Sequence, residues 1–179
     1  MRRARAKILP MPMVVGIDPS KNTGVVIYDP TTQTIQGSWV LRTKDASYAN
    51  QAVIGRLFAD VARGIKVIFP TASVAALEVP QGGLKTHKSQ DRIIGRIEQI
   101  LEMGGFQVIE VNVQAVKRAL SGKANADKAD MIDAARRLYG VPEMGAKQVE
   151  AEAIADAIGV AMAGWEALTH TTEGKDVRV

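Results

Sequence analysis

The chain has 179 residues, of which 46% are hydrophobic and 23% are charged. This composition is typical of one globular domain and argues against a disordered chain, a collagen-like repeat or a coiled coil. The absence of cysteine excludes disulfides, thiolate zinc sites and cysteine nucleophiles. Because there are only two histidines, a bound metal is expected to be a hard cation held by carboxylates. The net charge of +4 suits a polyanionic partner.

No segment reaches the roughly 18 apolar residues that a membrane span requires, and the first residues lack the apolar core of a signal peptide. We therefore expect no membrane contact and a cytoplasmic location. The expected organisation is a disordered basic arm over 1–12, one domain over 13–169 and a flexible tail over 170–179.

The first half of the chain alternates short β-branched runs with turns rich in Pro, Asp, Asn and Gly. This pattern predicts three strands in an antiparallel meander, over 13–17, 25–28 and 34–41. Apolar residues at every fourth position then predict a helix over 47–68. A compact apolar run predicts a fourth strand over 74–79.

The second half is predicted to be mainly helical. Ser89 is expected to cap a helix over 90–103, which Gly104 and Gly105 end. The same signals predict a strand over 106–111 and helices over 114–120, 127–139 and 149–168. The order of all these elements predicts an α/β fold of the ribonuclease-H-like kind, with a mixed five-stranded sheet flanked by helices. In that sheet, the three-stranded antiparallel meander is joined to parallel strands.

Two acidic residues lie where buried strands are predicted. Asp18 follows the first strand, where it could form an Asx turn or face a functional site. Glu78 interrupts the fourth strand, where an ionised carboxylate is costly unless a Lys, an Arg or a metal ion compensates it.

Two more acids lie on the last predicted helix. Asp156 is embedded in apolar sequence, and Glu152 shares its face because it lies four residues earlier, although Glu152 also fits a solvated face. Crowded carboxylates raise one another's pKa unless divalent metal neutralises them. Two ions about 3.5–4 Å apart in such a cluster hydrolyse phosphodiesters, one activating water and the other stabilising the leaving oxygen. The cluster of Asp18, Glu78 and Asp156 therefore predicts a metal-dependent nuclease.

Several short motifs, in order from about 14 to 164, resemble those of RuvC-type Holliday junction resolvases. They are Gly16-Ile17-Asp18-Pro19 with Thr23-Gly24, Ala76-Leu77-Glu78, Val116-Lys117 with Gly122, Ala126-Asp127-Lys128, and Ala155-Asp156-Ala157-Ile158. The resemblance implies a ribonuclease-H-like fold and a homodimer that uses Mg²⁺ or Mn²⁺, two ions per site. It also implies paired symmetric nicks in four-way or branched DNA that leave 5′-phosphate and 3′-hydroxyl ends, with no small-molecule cofactor.

The resemblance also implies roles for single residues. Asp18, Glu78 and Asp156 match the metal-binding acids of the family, and Lys128 matches a basic residue beside the scissile phosphate. Bacterial members usually carry an acid or His three residues before the final Asp, where this chain has Ala153. Glu152 is therefore the expected fourth catalytic and metal-binding acid. The loop after Glu78 lacks the aromatic residue common in the family, which indicates a viral or divergent member.

Two basic segments are the expected DNA contacts. The first contains Lys117, Arg118, Lys123 and Lys128, with Arg136 and Arg137 further on, and a solvated helix face is its alternative reading. The second contains Lys85 and Lys88, with His87, Arg92 and Arg96, and is expected beside the acids. Because few aromatic residues are available for stacking, recognition of backbone shape is favoured over a base-stacking platform.

Other functions remain as alternatives. A nuclease of the same fold could act on flaps, broader branched DNA or RNA. Asp18, Glu78 and Asp156 argue against a catalytically weak junction-binding protein, although Ala153 leaves room for it. An actin-like nucleotide-binding domain is disfavoured, because residues 18–24 are poorer in Gly, Ser and Thr than its phosphate loops and the chain is too short.

Overall fold

The computed structural model describes residues 11–20, 22–42, 51–79, 88–141 and 146–173. Most of the expected basic arm and the last six residues of the expected tail lie outside this range. The loop over 80–87, which carries Lys85 and His87, lies outside it as well. No helix in the described part of the chain is long and apolar enough to cross a membrane.

The described residues form a five-stranded mixed sheet in the order β3-β2-β1-β4-β5. Strand β1 pairs antiparallel with β2 and β2 pairs antiparallel with β3, whereas β1 with β4 and β4 with β5 are parallel pairs. The predicted meander and parallel strands are confirmed. The strands are β1 (Met13–Asp18), β2 (Asn22–Asp29), β3 (Thr34–Arg42), β4 (Ala72–Val79) and β5 (Gln107–Asn112).

Helices cover both faces of the sheet. They are α1 (Gln51–Ile68), α2 (Lys88–Met103), α3 (Val113–Ser121), α4 (Lys128–Tyr139) and α5 (Gln148–Glu173). Side chains of β1 alternate between two cores, because successive residues of a strand point to opposite faces. Val15 and Ile17 pack with α1 and α2, while Val14 packs with α3, α4 and α5. A strand covered on both sides is apolar throughout, which explains the unbroken run before Asp18.

Two glycines let α5 approach the sheet closely. A Cβ atom on Gly24 of β2 would lie 1.9 Å from the Ala153 carbonyl oxygen, and one on Gly16 of β1 would lie 2.1 Å from that of Ala157. Only residues without a side chain permit this backbone contact. The glycines therefore fix the first half of α5 over β2 and β1, which positions the acids that the helix carries.

Helix ends follow the predicted signals at α2 and α4. Helix α2 ends at Met103, and Gly105 then adopts a positive φ of 78°. Asp127 caps α4 in a reciprocal capping box with Asp130, and Gly140 closes that helix with φ 70°. Lys128 is therefore held as the first residue of α4.

Two predicted helix boundaries are wrong. Helix α2 begins at Lys88, so Ser89 lies in its first turn, where the backbone N–H groups are unpaired and serine is tolerated. Helix α5 continues past Leu168 to Glu173 and takes in the first residues of the expected tail. It continues because residues 169–173 contain neither proline nor glycine, and the next glycine is Gly174.

Candidate active site

Asp18 and Glu78 lie side by side at one edge of the sheet. Asp18 ends β1, and the parallel register that pairs Ile17 with Leu77 places Glu78 next to it on β4. Ile17 and Leu77 both pack towards α1 and α2. Because side chains alternate along a strand, the two carboxyl groups lie on the opposite face, which α5 covers.

Asp156 reaches the same place from α5. It lies in the helical turn between Ala153 and Ala157, and this turn packs on Gly24 of β2. Gly24 is paired with Asp18 across the two strands, so Asp156 lies on the same side as Asp18. The three acids predicted from separate parts of the sequence are therefore brought to one side of one sheet edge.

The three carboxyl groups influence one another electrostatically. Burial, and then the neighbouring Asp156, raises the pKa of Asp18 to about 7. Burial, and then Asp18 and Asp156, raises the pKa of Glu78 to about 8. Burial also raises the pKa of Asp156, although Lys128 and Lys117 act in the opposite direction. These acids form the acid cluster, in which nearby cations only partly offset burial and mutual repulsion.

The charge of Glu152 also raises the pKa of Asp156, but Glu152 has hydrogen-bond partners of its own. Its carboxylate accepts hydrogen bonds from the Lys128 ammonium and, at 3.0 Å, from Nε2 of Gln148. These contacts lower the pKa of Glu152 below its ordinary value. Glu152 therefore forms an ion pair with Lys128.

The donor set of the acid cluster suits a hard divalent cation, because it consists of carboxylate oxygens that are partly buried and repel one another. Glu78 forms no ion pair with any residue in the described ranges, so the structure offers no internal Lys or Arg that neutralises it. In the same ranges, however, no three Asp, Glu or His side chains converge closely enough to constitute a metal-binding group. The carboxyl groups would have to draw together around an ion.

The predicted basic residues divide into several groups. Lys117 on α3 and Lys128 on α4 act electrostatically on the acid cluster. Arg118 is exposed on α3, and Lys123 follows that helix and pairs with Asp130 at 3.5 Å. Lys88 begins α2, and Arg136 and Arg137 lie in the last turn of α4.

Arg96 does not lie beside the acids, contrary to the sequence expectation. It borders Gly55 of α1, in a groove of about 710 Å³ between α1 and α2, on the face of the sheet opposite α5. The reason is helical geometry, because Arg96 lies more than two turns into α2 and that helix leads away from the end of β4.

Gln148 was not predicted as part of the site. Its spacing of four residues from Glu152 was the available signal, because such residues are neighbours on a helix. The sequence also does not predict the packing role of Gly16 and Gly24, since a glycine in a strand does not reveal which helix will cross it.

Solved structures share this arrangement of sheet and helices. RuvC of T. thermophilus in complex with a Holliday junction substrate has a TM-score of 0.67 at 20% identity, with 89% of this chain and 97% of that chain covered. A second structure of Thermus thermophilus RuvC gives 0.64 at 21% identity, with the same coverage. The chain has the fold of RuvC.

The RuvC-like, ribonuclease-H-like fold extends to a viral protein. A structure of the Fowlpox virus resolvase with substrate Holliday junction DNA matches with a TM-score of 0.55 at 16% identity, covering 87% of this chain and 98% of that chain. No protein-family model matches the sequence, and no curated protein matches it either. The predicted fold class is confirmed by structure alone.

Proposed function

We propose that this protein is a divalent-metal-dependent endonuclease that resolves four-way DNA junctions by paired symmetric nicks, leaving 5′-phosphate and 3′-hydroxyl ends. The observation that carries the proposal is the acid cluster: Asp18, Glu78 and Asp156 gather at one edge of a RuvC-like sheet. Two of the solved structures with this fold contain Holliday junction DNA, which supports the choice of substrate.

Asp18, Glu78 and Asp156 would hold Mg²⁺ or Mn²⁺, two ions per site. When bound, such ions activate the attacking water and stabilise the leaving oxygen. The protein itself supplies carboxylate oxygens on a rigid frame, since β1, β4 and α5 are packed together through backbone contacts. Glu152 is the fourth acid that the sequence predicts for this site.

Lys128 would act on the phosphate. It lies at the rim of the acid cluster with 72% of its side chain exposed, so DNA can reach it. A fixed ammonium there favours the additional negative charge of the phosphorane transition state. The charge of Lys117 lowers the pKa of Glu78 and of Asp156, and it would likewise favour the negative charge of the transition state.

DNA would reach the site past α3, which packs on β4 and β5, and α4, which packs on α3 and α5. Lys117 and Arg118 lie on α3, Lys123 follows that helix and Lys128 begins α4, and these four residues are the proposed phosphate contacts. Lys88, which begins α2, and Lys85, which lies outside the described residues, are proposed as further contacts. Phosphate contacts of this kind position a duplex without reading its sequence. Paired incision of a two-fold symmetric junction requires two active sites, which supports a homodimer.

A second candidate function is junction binding with weak catalysis. Ala153 occupies the position where related nucleases provide a further donor, and it is buried against β2 with 5% of its surface exposed. If three acids hold metal poorly, the basic surface could still bind branched DNA.

The test is incision of a labelled synthetic four-way junction beside a linear duplex of equal length, in Mg²⁺ or in EDTA. We expect metal-dependent nicks confined to the junction. Asp18→Asn should remove cutting and retain junction binding, because it removes a ligand oxygen and keeps the basic surface. Equal cutting of both DNAs would favour the broader nuclease, and tight binding without cutting in Mg²⁺ and Mn²⁺ would favour the binding protein.

A further inference from the structure

The contact between Lys128 and Glu152 joins two helices at the rim of the acid cluster. The residues are 24 positions apart, and packing of α4 against α5 brings them together. Glu152 is the less accessible member, with 20% of its side chain exposed against 72% for Lys128. Its other carboxylate oxygen accepts the hydrogen bond from Gln148, one turn earlier on α5.

We propose that Glu152 is a positioning residue that holds the Lys128 ammonium beside the acid cluster, and is not itself a ligand of the metal. The inference rests on the proposed function, because Lys128 needs a fixed position only if it meets a phosphate. This role also explains why position 152 is acidic in a chain that has Ala153, and no acid, at the next position.

The placement of Lys128 supports this role. The backbone of Lys128 is fixed as the first residue of α4 by the Asp127 capping box, but its side chain is a flexible chain of four methylene groups. The Glu152 carboxylate restrains the far end of that chain. From this position the charge of Lys128 lowers the pKa of Asp156 and of Asp18, so the held ammonium acts on the acid cluster.

The partners of Glu152 argue against a ligand role. Both of its oxygens are already engaged, one by a cation and one by an amide N–H. A ligand role would place a divalent cation next to the Lys128 ammonium that Glu152 already binds, where the two positive charges repel each other. Asp18, Glu78 and Asp156, by contrast, have no ion pair in the described ranges that they would have to give up.

The experiment is a double-mutant cycle on single-turnover junction incision, with Glu152→Gln, Lys128→Ala and the combined variant. We expect Glu152→Gln to slow incision about tenfold, the factor that corresponds to ~1.4 kcal/mol. The combined variant should be no slower than Lys128→Ala alone, because the carboxylate acts only through the lysine. Independent roles would instead make the two effects multiply, which would overturn the proposal.

A second readout does not depend on cutting. The rise in melting temperature caused by Mn²⁺ measures metal binding to the folded protein. It should persist in Glu152→Gln and disappear in Asp18→Asn, whereas its disappearance in Glu152→Gln would identify Glu152 as a ligand and overturn the positioning role. If the wild-type protein shows neither cutting nor a Mn²⁺ effect, the proposed function itself fails.

A matched control separates the effect of the Glu152 contact from the effect of changing the net charge of α5. Glu150 lies two residues before Glu152 on α5 and pairs with Arg42 of β3, so Glu150→Gln changes the charge of the same helix equally. A loss of rate confined to Glu152→Gln would support the proposal. An equal loss in both variants would assign the effect to the charge of α5 and contradict it.

Discussion

At the scale of single residues, the site depends on carboxyl groups placed where burial disfavours their charge. Asp18 ends β1 and Glu78 lies one residue before the end of the parallel neighbour β4, and the charge of Asp18 raises the cost of ionising Glu78. A divalent cation would remove that cost. These residues could be predicted from the sequence because an acid within or directly after an apolar strand has few structural explanations.

A pH prediction follows for the metal-free protein. The folded-state pKa values of Asp18 and Glu78, about 7 and about 8, exceed the ordinary values of 3.8 and 4.5. Between these limits each of the two groups binds more protons in the folded than in the unfolded state. Their contribution to stability is therefore largest below the ordinary values and is lost as the pH rises to about 8. Thermal unfolding in EDTA from pH 4 to pH 9 measures this loss.

Asp18→Asn is the control for this titration. Asparagine cannot ionise, and it also removes a charge that raises the pKa of Glu78. The variant should therefore lose less stability than the wild type over the same range. Equal slopes for the two proteins would show that the acid cluster does not cause the pH dependence.

Other parts of the site could not be predicted at this scale. The contact of Lys128 with Glu152 depends on how α4 packs on α5, and no local pattern encodes a pair 24 residues apart. The motif resemblance indicated that Lys128 lies near the phosphate but named no anchor for it. The sequence assigns Glu152 to the metal instead, because it lies four residues from Asp156 and because Ala153 provides no ligand at the next position.

At the scale of secondary-structure elements, the close contact between α5 and the sheet determines where Asp156 lies. This contact needs glycine at Gly16 and Gly24, because a side chain at either position would meet helix backbone. Strands and helix ends were predictable where chemistry marks them, as at Asp127 and Gly140. The end of α5 was missed, although Gly174 is the first glycine after the helix.

Gly24→Ala tests the importance of this contact. The added Cβ atom would lie 1.9 Å from the Ala153 carbonyl oxygen, so α5 must shift away from β2. We expect a loss of about 3 kcal/mol in the free energy of unfolding, near the upper end for overpacked cores. Denaturant unfolding monitored by circular dichroism measures it.

Gly95→Ala provides the comparison. Gly95 lies in α2, and an added Cβ atom there would meet nothing within 4 Å. Since alanine favours the helix, this variant should be neutral or more stable by up to ~1 kcal/mol. If Gly24→Ala were as stable as Gly95→Ala, α5 would not be held at the sheet by the described contact, and the placement of Asp156 would lose its support.

At the scale of the whole molecule, the direction of the strands brings polar and charged residues together at one edge of the sheet. Strands β1, β4 and β5 run parallel, and two antiparallel steps make β3 run the same way. Their carboxyl ends therefore carry Asp18, Glu78, Asn112 and Arg42 along one edge. Arg42 pairs with Glu150, which fastens the outermost strand β3 to the start of α5. The same edge thus carries the acid cluster and the ion pair that joins β3 to α5.

The central claim is that this site makes paired nicks in a four-way junction. The most direct measurement uses a supercoiled plasmid that extrudes a cruciform, incubated with the protein and Mg²⁺. Two nicks made within one bound complex convert the plasmid directly to the linear form, whereas isolated nicks relax it, absorb the cruciform and leave a nicked circle. We predict linear product from the wild-type protein and none from Asp18→Asn. Accumulation of nicked circles alone, or equal cutting of a plasmid without the inverted repeat, would contradict the claim.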